Sequence, residues 1–293
     1  MARPDPPEFL KRTGQKYTEP PDIDLTKPSI ARVYSYFLGG KDHFEADREM
    51  ANYAEGVVPG VTDLALGNRA FVQRAARYLA TEAGIEQYLD IGSGLPTDGN
   101  VHEVVHESTP HGRVVYVDKD PMVLAHARAL LADNNTTIVL KADLTAPKAV
   151  LQEAVATGLI DPDRPVALML GGILHHLQDE EDPGGITREL CDALAPGSHL
   201  VISHFCRPDA VRSPKSAKRA EALQKAFMEK LGHGLWRTRE EILSYFQGWP
   251  LVEPGLVPLN DWRPLPKESA QAGNYVMPPR NKHIIIGAIA KKP

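Results

Sequence analysis

The run Tyr88-Leu89-Asp90-Ile91-Gly92-Ser93-Gly94-Leu95-Pro96-Thr97-Asp98-Gly99-Asn100 constrains the fold more than any other part of the chain. A short apolar stretch ends at an acid, and two glycines separated by one residue follow. Thr97, Asp98 and Asn100 then offer caps for a helix beyond. The pattern predicts a strand, a tight loop and a helix start. Glycine at 92 and 94 admits backbone dihedrals closed to other residues and lets a ligand lie directly against the main chain. This is a loop of the nucleotide-binding kind.

A dinucleotide fingerprint would need a third glycine, where Thr97 stands. The chain instead has Asp90 at the end of the strand, under the loop, where an anion repels a pyrophosphate and favours a cation. S-adenosylmethionine carries an α-ammonium and a sulfonium and needs no phosphate pocket. Asp90 with Gly92, Ser93 and Gly94 is therefore the expected cofactor cradle.

The flanking segments supply the rest of an alternating α/β pattern. Residues 1–22 are proline-rich, with too few apolar groups to offset their ordering entropy, and are expected to form a flexible tail. Ile30, Val33, Tyr34 and Phe37 fall at helical spacing before Gly39-Gly40. A second helical stripe over 63–83 has its arginines on the face opposite the apolar one. Beyond the loop, Arg113–Val117 closes with Asp118, an acid able to accept both ribose hydroxyls. Asp120-Pro121 reads as the N-cap and first residue of the next helix.

Strands over 136–140, 166–170, 198–205, 251–257 and 283–290 complete the set, with helices over 147–157 and 214–231 and a capping box at Thr238-Arg239-Glu240-Glu241. Trp262-Arg263-Pro264 and the polar stretch 267–279 predict a long loop. The pattern predicts a Rossmann-like doubly wound sheet of seven strands, mostly parallel with a reversed last strand.

His102-Glu103-Val104-Val105-His106 fits H-E-x-x-H, a zinc-binding pattern when it lies on a helix. Its context argues against a metal: it opens the first crossover helix, where Val101, Val104 and Val105 should pack on the sheet. Thr109 also occupies the glycine position of the extended motif, and His111 comes one residue early.

Leu89-Asp90-Ile91-Gly92-Ser93-Gly94 resembles the first motif of the class I S-adenosylmethionine-dependent methyltransferases. With Ala31-Arg32-Val33-Tyr34-Ser35-Tyr36-Phe37-Leu38-Gly39-Gly40-Lys41-Asp42, Val114–Asp118 and Pro165–Leu170, it is similar to a bacterial S-adenosyl methyltransferase family formerly known only as a domain of unknown function. The likeness runs from about Ile23 to the C-terminus. It implies an N-terminal helical cap over 23–83, packed on a methyltransferase core over 84–293. It also implies that Asp143 meets the adenine amino group, with the backbone of Leu144 on a ring nitrogen, although Asp143 could equally cap the following helix.

Lys119, beside Asp118, and Leu170, at the end of the fourth strand, complete the expected cofactor set. Tyr34, Tyr36, Lys41 and Asp42 are lid candidates, against the plainer reading of a helix C-cap and charged loop. His175 is the expected base if the acceptor is a hydroxyl, or else a histidine that only supports the reacting groups; His176 is expected beside the acceptor.

The reading is of a methyltransferase acting on a small-molecule or peptide-like acceptor. A non-catalytic S-adenosylmethionine-binding protein stands second, and a zinc hydrolase on His102 and His106 third. A formal net charge of −5 argues against a nucleic-acid footprint. No apolar run of the roughly 18 residues needed to span a bilayer is present. Without a secretory pattern or a disulfide framework from Cys191 and Cys206, the expected location is the cytoplasm.

Overall fold

The computed structural model describes residues 23–131, 135–266 and 268–293. The expected tail at 1–22, and Lys267 of the predicted loop, lie outside the described residues. Among these residues seven strands form one sheet: β1 (Gln87–Ile91), β2 (Arg113–Asp118), β3 (Thr137–Lys141), β4 (Ala167–Gly171), β5 (His199–Phe205), β6 (Val257–Pro258) and β7 (Ile285–Lys291). Their order is β3-β2-β1-β4-β5-β7-β6. The ladders from β3 to β5 are parallel, with Leu89 opposite both Val115 and Leu168, whereas β7 runs antiparallel to β5, Ile202 facing Ala288.

The central strands are continuous apolar runs because both faces of the sheet are covered. Tyr88, Val114, Ala167 and Val201 point into one apolar cluster, and their neighbours Leu89, Val115, Leu168 and Leu200 point into the other. The first cluster is roofed by α1 (Ile30–Phe37), α2 (Glu45–Val57), α3 (Val61–Thr81) and α4 (Val101–His106). The alternation puts Asp90, two residues after Tyr88, on the same side as these helices.

Local signals end and start helices where the sequence predicts. Asp120 caps α5 (Pro121–Leu130) by accepting the Met122 amide at 2.8 Å. Thr238 Oγ1 accepts the Glu241 amide at 3.2 Å at the head of α9 (Arg239–Ser244), while Glu241 accepts that of Thr238 at 2.6 Å. Between these lie α6 (Pro147–Ala156), α7 (Pro183–Asp192) and α8 (Pro214–Leu231).

Two expectations need correction. β6 is two residues long, not a strand over 251–257. Pro254 and Gly255 interrupt the run, and Pro258 has no N–H to give a ladder, so only an isolated bridge from Leu251 to Ala290 precedes it. Within the expected helical cap, α2 follows the double glycine, and Asp47 starts it by accepting the Phe44 amide at 2.8 Å. The arginines of α3 do not all face solvent. Arg74 is buried and donates to the carbonyls of Leu259, Trp262 and Gly273 at 2.6, 3.0 and 2.7 Å, which pins the long C-terminal loop onto the helix.

Candidate active site

At the carboxyl edge of the sheet, where the chain winds outward in opposite directions from β1 and β4, open α/β sheets form their crevice. A cavity of about 440 Å³ occupies it. The size suits a small-molecule site.

The glycine loop forms the floor. Gly92 adopts φ +74°, and a Cβ there would meet Ile173 Cγ1 at 2.6 Å, so only glycine fits. The Gly92 amide donates to Val117 O at 2.8 Å and the Gly94 amide to Asp118 Oδ2 at 2.9 Å. Asp118 Oδ1 takes the amide of Asp120 at 2.9 Å. Burial raises the pKa of Asp118 while these backbone donors oppose the rise, and each oxygen keeps a further lone pair for a ligand.

Asp90 lies beneath the loop, 7% exposed. Burial pushes its pKa up to about 7, with the Arg69 guanidinium opposing and Asp118 adding to the shift. Among the described residues no hydrogen-bond donor engages its carboxyl group, and Arg69 is the cation whose charge acts on it.

Arg69 and Asn68, both on α3, are site residues that the sequence does not reveal, because they belong to a helix whose arginines read as a solvent face. Arg69 lines the cavity and reaches Asn100 Oδ1 at 3.0 Å, while its Nε is buried without a partner. Asn68 accepts from Ser203 Oγ at 2.5 Å and donates to Tyr34 Oη at 3.1 Å, which ties β5, α3 and α1 together across the wall.

Of the expected residues, Asp90, Gly92, Ser93, Gly94, Asp118 and Lys119 line the cavity together. Tyr34, His175 and His176 also line it. Asp143, expected at the adenine, sits just outside the cavity, 3.3 Å from Lys119 Nζ, and accepts the Thr145 amide at 3.0 Å; the helix it could equally have capped starts from Ala146. Leu144 and Leu170 are buried in the apolar cluster on the other face of the sheet. Tyr36, Lys41 and Asp42 face away from the cavity: Tyr36 meets His43 edge-on at 4.9 Å, Asp42 lies 3.6 Å from His126 and Lys41 is exposed.

Four imidazoles gather where β4 and β5 end. His175 is buried against Phe205, Trp236 and His176, at ring distances of 4.8, 5.5 and 4.2 Å, and its Nδ1 has no partner. Burial, then the neighbouring His176, His204 and His233, hold it well below the usual histidine pKa. His176 Nδ1 faces Nδ1 of His233, from the loop after α8, at 2.9 Å.

The H-E-x-x-H helix is occupied by structure. His102 Nδ1 pairs with the Tyr116 hydroxyl at 2.9 Å and His106 Nε2 with the Gly112 carbonyl at 2.9 Å, while Val101, Val104 and Val105 pack on the sheet. Among the described residues no group of three His, Cys, Asp or Glu side chains is placed to hold a metal ion, and no helix is long and apolar enough to cross a membrane.

A family model described as S-adenosyl methyltransferase matches residues 16–293. No curated protein matches the chain. A protein of Thermobifida fusca YX described as a candidate methyltransferase is 43% identical, with 94% of this chain and 98% of that one covered and a TM-score of 0.82. A DUF574 family protein from Streptomyces avermitilis MA-4680 is 34% identical, with 92% and 99% covered and a TM-score of 0.82. Family match and likeness extend over the glycine loop, both acids and the whole sheet, and they identify the chain as a member of the S-adenosyl methyltransferase family, with S-adenosylmethionine as its cofactor.

Proposed function

We propose that the chain catalyses methyl transfer from S-adenosylmethionine to a small-molecule or peptide-like acceptor held in the same cavity. The observation that carries this reading is the buried Asp90, which accepts no hydrogen bond among the described residues, beside the Gly92–Gly94 loop, within a cavity that extends past the loop to the histidines. Asp90 meets the cofactor's α-ammonium, and the free guanidinium donors of Arg69 its carboxylate. Asp118 accepts from the ribose hydroxyls with the lone pairs its backbone partners leave. The adenine lies toward Lys119, Asp143 and Leu144, with Leu170 backing the strand end beneath.

S-adenosylmethionine supplies a methyl group already activated by the sulfonium. The chain's residues have to align the reactants and exclude water, and positioning alone can contribute about 7–11 kcal/mol. Tyr34 and the α1–α3 roof form the outer wall, while the histidines His175 and His176 stand where an acceptor proton would leave. Calorimetric titration with S-adenosylmethionine and S-adenosylhomocysteine, followed by a search for acceptor-dependent S-adenosylhomocysteine release, tests the reading. Binding without turnover on any acceptor would favour a sensor instead; no binding would overturn both.

A further inference from the structure

The cavity is divided along the sheet by charge. The formally charged residues lining it are Arg69, Asp90, Asp118, Lys119 and Asp120. The four other than Arg69 stand at or just beyond the ends of β1 and β2, and Arg69 reaches the loop after β1 through Thr97 O, Asp98 O and Asn100 Oδ1. Ile173, packed against Gly92, marks the boundary. Beyond it, at the ends of β4, β5 and β7, the wall is Phe37, Val61, Leu64, Phe205, Phe227 and Ile285. The polar groups on that side are the neutral Tyr34, Asn68 and the imidazoles of His175, His176 and His233.

An ionic acceptor entering this half would shed its hydration against a wall that carries no charged side chain among the described residues, with Lys119 and Glu181 at its histidine edge, a cost of several kcal/mol. Three phenylalanines on the wall suit a flat ring, which they contact by face or edge. The pair of Nδ1 atoms at 2.9 Å holds a single proton between His176 and His233. The ring that donates this proton therefore has a bare Nε2. If that Nε2 takes a second proton, the resulting imidazolium already donates to a neutral imidazole, which stabilises it. Lys119 and the rings of His175 and His204 surround His176, and Lys119 and Glu181 face His233. Burial keeps both members of the pair below the usual histidine pKa, so each is neutral at pH 7.

We propose that the acceptor is an uncharged, apolar ring compound bearing a hydroxyl, bound on the β4–β5–β7 half of the cavity, and that the His176–His233 pair receives the hydroxyl proton. The inference rests on the methyltransferase reading. The hydroxyl oxygen bonds the methyl carbon, the carbon–sulfur bond breaks with its electron pair left on sulfur, and the proton passes to the bare Nε2 and on to water. The products are a methyl ether, S-adenosylhomocysteine and the regenerated neutral pair.

The test uses the full chain saturated with S-adenosylhomocysteine, titrated with 1-naphthol and 2-naphthol and with the matching naphthoates and naphthylmethylammonium ions. Naphthol binding at least tenfold tighter than that of either ionic set is expected. Equal or tighter binding of an ionic set, or no naphthol binding, overturns the acceptor class while leaving the methyltransferase reading standing. Failure of S-adenosylhomocysteine itself to bind overturns that reading, and the inference with it.

Turnover of the bound naphthol with S-adenosylmethionine then tests the pair. His176→Ala and His233→Ala should each lose about 10²–10⁴-fold at pH 7, regain part of that rate when free imidazole is added, and keep the wild-type affinity for S-adenosylhomocysteine. Wild-type turnover in these variants, a loss that added imidazole does not rescue, or no naphthol methylation by the wild type would overturn the role of the pair.

Discussion

Asp118 Oδ2 accepts the amide of Gly94 at 2.9 Å, so the acid expected to meet the ribose also sets the shape of the loop beneath the cofactor. With Oδ1 on the Asp120 amide, one carboxylate joins the end of β2 to the glycine loop and to the head of α5. Asp118→Asn replaces one acceptor oxygen by a donor. Charge-assisted hydrogen bonds contribute about 1.5–3 kcal/mol, so affinity for S-adenosylhomocysteine should fall about 10–100-fold by calorimetry while the circular dichroism spectrum stays native. Unchanged affinity would remove Asp118 from the ribose site.

Asp90 makes stability depend on pH in an unusual direction for a carboxylate. Its pKa in the folded chain is about 7 against an ordinary value of 3.8, so folding favours the protonated form. Between about pH 4 and pH 7 the unfolded chain ionises first, and stability is lost as pH rises. Asp90→Asn removes this slope. The variant should gain on the wild type between pH 5 and pH 8, by up to about 4 kcal/mol at roughly 1.4 kcal/mol per pKa unit, in denaturant titrations without ligand. Cofactor binding should release a proton near pH 7, seen as a binding enthalpy that varies with the ionisation enthalpy of the buffer. An identical pH slope in Asp90→Asn would refute the assignment.

Arg69 is assigned to the methionine carboxylate by its place on the cavity wall and its partnerless Nε. Arg69→Gln should weaken S-adenosylmethionine binding at least tenfold but barely change binding of the decarboxylated cofactor. An equal loss for both ligands would mean that the guanidinium only braces the Thr97–Asn100 loop.

Asp47 is fully buried and paired with Arg32 at 2.8 Å, while also accepting the amides of Ser29 at 2.9 Å and Phe44 at 2.8 Å. Asp47→Ala leaves the Arg32 charge without compensation and should cost about 3–5 kcal/mol in equilibrium unfolding. The damage falls on the α1–α2 junction, so Tyr34 and the outer wall should show faster hydrogen exchange than β1 or β4.

The features legible in the sequence are those whose cause is local. A strand closed by an acid, a glycine pair, Asp120-Pro121 and the Thr238 box each act within a few residues, and the mostly parallel sheet follows from the alternation of strands with helices. Arg69, Asn68 and His233 were hidden because their roles depend on contacts 28–135 residues away in sequence, to Thr97, His176 and Ser203. The lid candidates show a limit of another kind. Tyr34 and Tyr36 are two positions apart, which on a helix is roughly 200° around the axis, so both cannot face one cavity. The cavity takes Tyr34, and Tyr36 turns to His43.

The uneven division of the cavity bears on how such a chain can diversify. The side proposed for the cofactor comes mostly from one stretch, Asp90 to Pro121, with Arg69 and the head of α1 added. The opposite side is assembled from scattered residues of α1, α3, α8, the ends of β5 and β7 and the segments that carry His175, His176 and His233. A substitution at Phe37, Leu64 or Phe227 can therefore redraw the outline offered to an acceptor without touching the donor's grip, and relatives with the same loop can drift apart in what they methylate one side chain at a time.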